Sequence, residues 1–114
     1  MLKLLYFVKR KPHMTHEQFR DHFEWSHAPM ALKFFGHLFV EYRRNYVAQA
    51  TFSEKSGRDQ GTQPPWQWDL ISEWILPNRE ALGEIYRLLY APGIAKLFRA
   101  DEERFIDLTS TVVV

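Results

Sequence analysis

The sequence predicts an α+β domain, a ferredoxin-like split βαβ sandwich with the order βαββαβ and an antiparallel sheet. Three observations predict it. Runs of alternating apolar and polar residues and runs with a helical repeat follow one another as strand, helix, strand, strand, helix, strand. One set of strand positions, Leu4, Tyr6, Val8, Leu70, Trp74, Leu108 and Val112, is strongly apolar and suits a cover of helices. The opposite set carries Leu5, Phe7, Ile71, Ile75 and Val113 among Lys, Asp, Glu and Thr, which is too apolar to face water. Helices cover only one face of such a sheet, so the second face predicts a partner, most simply a second copy of the chain related by a two-fold axis.

Each element has its own signal. Leu2 to Lys9 is short, aromatic and β-branched, and Lys11-Pro12 breaks it, as expected of a strand. Thr15 to His27 is the first helix. Thr15 and Gln18 have the spacing of a capping box, with Met14 and Phe19 at the flanking hydrophobic positions. Pro29 disfavours the α region at Ala28, so this helix is expected to end or bend near His27, and Met30 to Phe35 to add a turn or two before Gly36. Leu38 to Ala48 reads as the second strand, with Val40, Tyr42, Arg44 and Tyr46 on one side.

Gln49 to Pro65 is polar, with two glycines and a Pro-Pro pair, and reads as a lid. Trp66 to Ile75 is the third strand, with Trp66, Trp68, Leu70, Ser72 and Trp74 on one face. Pro77-Asn78 opens a helix with the stripe Leu82, Ile85, Tyr86 and Leu89, which Pro92-Gly93 ends. A short helix from Ile94 to about Glu103 is expected to bury Leu97 and Phe98, and Phe105 to Val113 to form the last strand.

The 114 residues suffice for a single domain with one core, spanning 1–114. A formal charge of +1, with acids and bases interspersed, provides no electrostatic case for nucleic acid or an anionic membrane as partner. Cysteine is absent, which excludes disulfides and thiolate metal sites and points to a reducing, cytoplasmic compartment. The apolar start from Leu4 to Val8 is too short for a signal peptide, and no apolar run approaches a membrane span.

The first helix carries most of the functional signal. At about 100° per residue, Phe19, Phe23 and Ser26 share a stripe, with His22 on one border and His27 on the other. His27 stands where the helix is expected to open, beside C-terminal carbonyls that favour an imidazolium. His22 reads as a border residue whose hydrogen bonds are met within the fold. On a regular helix the two lie about 140° apart and do not chelate one metal ion as an i, i+4 pair does. No Gly-rich phosphate loop or nucleophile signature is present.

Three stretches carry a family resemblance: MLKLLYFVKRKPHMTHEQFRDHFEWSHAPMALK at the start, DLISEWI in the middle and FRADEERFIDLTST near the end. Together they resemble the EthD domain family of the dimeric α/β barrel superfamily. The most specific pieces are His27-Ala28-Pro29 and Phe105-Ile106-Asp107; Lys11-Pro12-His13 departs from the usual Lys-Pro-Gly in a turn. The resemblance implies a homodimer whose paired sheets form a barrel, with a pocket in each subunit between sheet and helices. EthD-like proteins occur beside oxidative degradation systems, including that for ethyl tert-butyl ether, and are described as oxidoreductase-related. Relatives in the superfamily include muconolactone-type isomerases, polyketide cyclases and dehydratases, cofactor-free quinol monooxygenases and haem enzymes, so membership implies the fold far better than the reaction.

The residues are consistent with the cofactor-free members that the resemblance implies, and with acid–base chemistry on a small aromatic or apolar carbonyl compound. His27 is the expected general base or acid, and Tyr46 the expected hydrogen-bond donor to the substrate oxygen. Tyr6, His22, Phe23, Tyr42, Trp68 and Trp74 are the expected substrate-binding residues, forming an aromatic chamber. Arg43, Arg44, Asp69 and Glu73 read as ion-pair formers. Two alternatives stay open: a non-enzymatic dimeric carrier or accessory protein of an oxidative system, and, with weaker support, a haem protein using one axial imidazole.

Overall fold

The computed structural model of the protein describes residues 1–47 and 68–113. The expected lid, Gln49 to Pro65, and Trp66 lie outside the described residues. The described chain is α+β. Strands β1 (Leu2–Val8), β2 (Glu41–Tyr46), β3 (Leu70–Leu76) and β4 (Val112–Val113) form one antiparallel sheet in the order β2-β3-β1-β4. That order, with β3 and β1 at the centre, is compatible with the ferredoxin-like arrangement. Register places Tyr6 and Arg44 on either side of Ser72, and Leu4 and Tyr42 on either side of Trp74.

Helix α1 (His16–His22) begins as its capping box requires: the Gln18 N–H donates to Thr15 Oγ1 at 3.1 Å and the Thr15 N–H to Gln18 Oε1 at 2.9 Å. The expected end at His27 is corrected. Phe23–His27 form one π-helical turn that runs directly into α2 (Ala28–Phe35), and Ala28 keeps helical angles, φ −64° and ψ −44°. The Ala28 N–H donates to the Phe23 carbonyl, five residues back. A widened turn relieves the clash between the Pro29 ring and the carbonyl four residues before it, and asks for no N–H there. The proline therefore bulges the helix instead of stopping it.

The C-terminal half differs from expectation in three places. Asn78 caps α3 (Arg79–Leu89), accepting from the Ala81 N–H at 2.9 Å, but Ala81 and Ile85 are its buried positions while Tyr86 lies near the surface. Pro92 begins α4 (Pro92–Phe105), since a proline at the first helical turn gives up no hydrogen bond. That helix buries Phe98, Asp101 and Phe105, leaving Leu97 51% exposed. Phe105 thus closes a helix rather than opening a strand, Leu108–Ser110 form a 3₁₀ turn, and only Val112 and Val113 pair with β1.

The core divides into two clusters. One gathers Phe19, Phe23, Phe105, Leu70, Val8 and Ile106; the other gathers Phe35, Leu76, Ile85 and Phe98. Full burial of each such side chain contributes roughly 1.5–3 kcal/mol. On the far face of the sheet, Leu5, Phe7, Ile71 and Ile75 are half-buried beside a Lys3–Glu73 ion pair of 3.1 Å.

Candidate active site

The π-turn decides how the first helix meets α4. It brings His22 and His27, which diverge on a regular helix, onto the two oxygens of one carboxylate. His27 Nδ1 lies 3.1 Å from Asp101 Oδ2, and His22 Nε2 lies 2.9 Å from Oδ1. The Ser26 hydroxyl also donates to Oδ1, at 2.9 Å. Burial by itself would raise the Asp101 carboxyl, but the hydrogen bonds from His27, His22 and Ser26 outweigh it and bring the pKa down to about 2. Against an ionised Asp101, the Nδ1 of neutral His27 carries the proton, and Nε2 holds the free lone pair.

His27 lines an apolar cavity of about 200 Å³ between the two core clusters. Two local features open it. The π-turn widens the helix layer above, where Phe23 and Ala31 contribute, and on β3 a small residue, Ser72, stands where Leu70, Trp74 and Leu76 are large. Tyr6, Tyr42 and Trp74 wall the sheet side. Burial pushes the phenols of Tyr6 and Tyr42 well above the usual tyrosine range, so both stay neutral hydrogen-bonding groups near pH 7. Glu102, one residue beyond Asp101, lines the same cavity, and burial raises its carboxyl. Adjacent residues on α4 are thus driven in opposite directions, one by its donors and the other by loss of water.

Of the residues expected at the site, His27, Tyr6, Phe23, Tyr42 and Trp74 line this cavity. His22 stands behind His27, on the shared carboxylate. Tyr46 lies outside the lining: its hydroxyl donates to Glu24 Oε2 at 2.6 Å, where Arg44 also donates at 2.5 Å and, to Oε1, at 3.0 Å. Trp68 is outside as well, its ring edge-on to Phe7 at 5.9 Å, because β3 starts only at Leu70 and the alternation does not reach back to it. Asp69 is buried and accepts from the Arg10 backbone N–H at 2.9 Å and the Arg10 guanidinium at 2.5 Å.

Sequence reasoning missed Ser72, Asp101 and Glu102. The signal for Asp101 was its place in the run Phe98, Asp101, Phe105, where an acid interrupts an apolar helical stripe. For Ser72 it was a small polar residue in a row of large apolar ones.

The arrangement answers to proton transfer: a lone pair on a positioned imidazole, a carboxylate to stabilise its protonated form, and neutral hydroxyls in a mostly apolar chamber. Among the described residues no group of three or more His, Asp or Glu is arranged to hold a metal ion, and no helix is long and apolar enough to cross a membrane. The cavity is better matched to one aromatic ring than to a macrocycle, since sites for drug-sized ligands run to about 300–1,000 Å³.

Residues 11–109 match the EthD domain, most of the chain. The protein belongs to the EthD domain family. No curated protein matches the chain. Within this EthD domain the matched segment contains both helices that meet at Asp101, so His22, Ser26, His27 and Asp101 all fall inside it.

Proposed function

We propose that this EthD protein is a small-molecule enzyme of catabolic or secondary metabolism that moves a proton on an aromatic or apolar carbonyl compound, in the manner of an isomerase, cyclase, dehydratase or cofactor-free oxygenase. The observation that carries the reading is the His27–Asp101 bond of 3.1 Å at the wall of an apolar cavity. In the proton-transfer step, Nε2 of His27 takes a proton from an acidic C–H or O–H of the ligand. The electron pair left behind moves onto the ligand oxygen as an enolate or phenolate, and Asp101 stabilises the imidazolium. The proton then returns to another atom of the same ligand. Where the receiving atom is oxygen, the Glu102 carboxyl, raised by burial, can donate in place of His27, and the proton left on His27 then passes through solvent to restore Glu102.

A homodimer is part of this proposal. A second copy laid sheet to sheet covers Leu5, Phe7, Ile71 and Ile75, the half-apolar face that no helix among the described residues covers.

The test is exchange of the α-hydrogens of an aryl ketone with heavy water, followed by proton NMR. Wild type should accelerate exchange over buffer, and His27→Gln should lose about 10² to 10⁴-fold of that rate while staying folded and binding the ketone. His22→Ala is the control and should lower stability with little change in rate. A wild type that binds aryl ketones and phenols yet exchanges none of their protons faster than buffer would replace the enzyme by the carrier.

A further inference from the structure

Ser72 is 3% exposed, and although the Tyr42 phenol stands beside its hydroxyl, no contact of that hydroxyl with a described residue has hydrogen-bond geometry. Buried polar groups are nearly always paired, so an exception calls for a physical reason. The neighbours set by register do not supply a partner. Arg44, opposite on β2, spends its guanidinium on Glu24 and on the Tyr42 carbonyl, and Tyr6, opposite on β1, makes no hydrogen bond to Ser72. What Ser72 does face is the cavity, which it lines from the sheet side while His27 lines it from the helix side.

We propose that Ser72 is the oxygen-binding position of this cavity and selects single-ring ligands that carry a carbonyl or hydroxyl oxygen on the ring or one atom from it. The inference rests on the reading of the cavity as a ligand site and deepens it by naming the ligand class. Size supports one ring. A void of about 150 Å³ lined by apolar side chains holds benzene, so about 200 Å³ takes a ring with two or three further heavy atoms. Chemistry supports the oxygen. A serine hydroxyl donates to a carbonyl or phenolate and accepts from a phenol, so it serves the ligand before and after proton transfer. The aromatic walls of Tyr6, Tyr42 and Trp74 hold the ring, and Ser72 from the sheet side and His27 from the helix side both face the ligand.

The experiment compares two probes of similar shape, acetophenone and ethylbenzene, titrated by ligand-observed NMR into wild type and Ser72→Ala. Loss of one neutral hydrogen bond should weaken acetophenone by about 3- to 10-fold, leaving ethylbenzene unchanged or slightly tighter. If the alanine variant does not stay folded, Ser72→Cys keeps the shape with a slightly larger atom, replaces the hydroxyl by a weakly bonding thiol and should show the same selective loss of acetophenone relative to ethylbenzene. Equal changes for both probes, or none for either, overturn the assignment of Ser72 while the cavity remains a ligand site. Failure of both probes to bind wild type at millimolar concentration overturns the cavity reading with it. A selective loss in a protein that exchanges no protons upholds Ser72 and rejects only the enzyme.

Discussion

His27 and Asp101 are joined at 3.1 Å across a sequence separation of 74 residues, and the carboxylate that receives His27 Nδ1 on one oxygen receives His22 Nε2 and the Ser26 hydroxyl on the other. One buried acid therefore ties the bulged turn of the first helix to the middle of the last. Such a carboxylate has two roles at once. It locks two elements together, and it decides which nitrogen of His27 carries the proton.

The locking role predicts an acid limb of unfolding. The folded pKa of Asp101 is about 2 against an ordinary value of 3.8, so the folded state binds this proton less readily than the unfolded chain. Its contribution is fully present above about pH 4 and is lost as pH falls toward 2, an effect on the order of 1 kcal/mol once solvent screening is allowed for. Asp101→Asn should flatten this limb in chemical denaturation followed between pH 4 and 2. At pH 7 it should cost about 1.5–3 kcal/mol, the usual worth of hydrogen bonds to a charged group. An unaltered acid limb in the variant would show that Asp101 does not carry it.

Glu102 predicts the opposite sign. Burial raises its carboxyl, so the folded state prefers the protonated form, and stability from this group is present below 4.5 and lost as pH rises above it. Glu102→Gln, which removes the charge and keeps the shape, should raise the melting temperature at pH 7. That gain should vanish below pH 4.5. A variant less stable than wild type at pH 7 would mean that the Glu102 charge has a favourable partner, and the acid role would have to go to another group.

The open face of the sheet predicts the oligomeric state. Sedimentation velocity at micromolar concentration should give twice the 13.7 kDa of one chain. Phe7→Asp places a charge in a half-buried position beside Trp68 and opposite Ile71, at a cost of several kcal/mol if that face is covered in the assembly. The variant should sediment as a monomer or fail to fold. Wild type at monomer mass would remove the sheet-to-sheet dimer.

Local rules written along the chain were enough for much of the architecture. The Thr15–Gln18 capping box, the alternation of Leu4, Tyr6 and Val8 and the Asn78 cap each depend on residues a few positions apart, so they are legible without the fold. The family resemblance is legible for the same reason, since its motifs are contiguous, and the EthD domain match bears it out. His27 could be singled out because it sits at a proline-marked irregularity. What that irregularity is, a π-turn rather than a helix end, depended on α2 having a surface to pack against: Ala31 and Phe35 are buried in the second cluster, and that burial keeps the chain helical past Pro29.

Only the tertiary structure decided who meets His27. The helical stripe marks Asp101 as an acid among apolar residues, but no local rule names its partners or places Glu102; the rotation of α4 against the bulged turn buries the first against three donors and points the second at the cavity. Tyr46 and Trp68 satisfied the alternation rule for the pocket face, yet one is held by Glu24 and the other precedes the strand. Alternation assigns a side of the sheet, whereas membership of a site depends on where the covering helices leave a gap. Here that gap lies between two core clusters, where the small side chain of Ser72 and the widened turn at Phe23–His27 face each other.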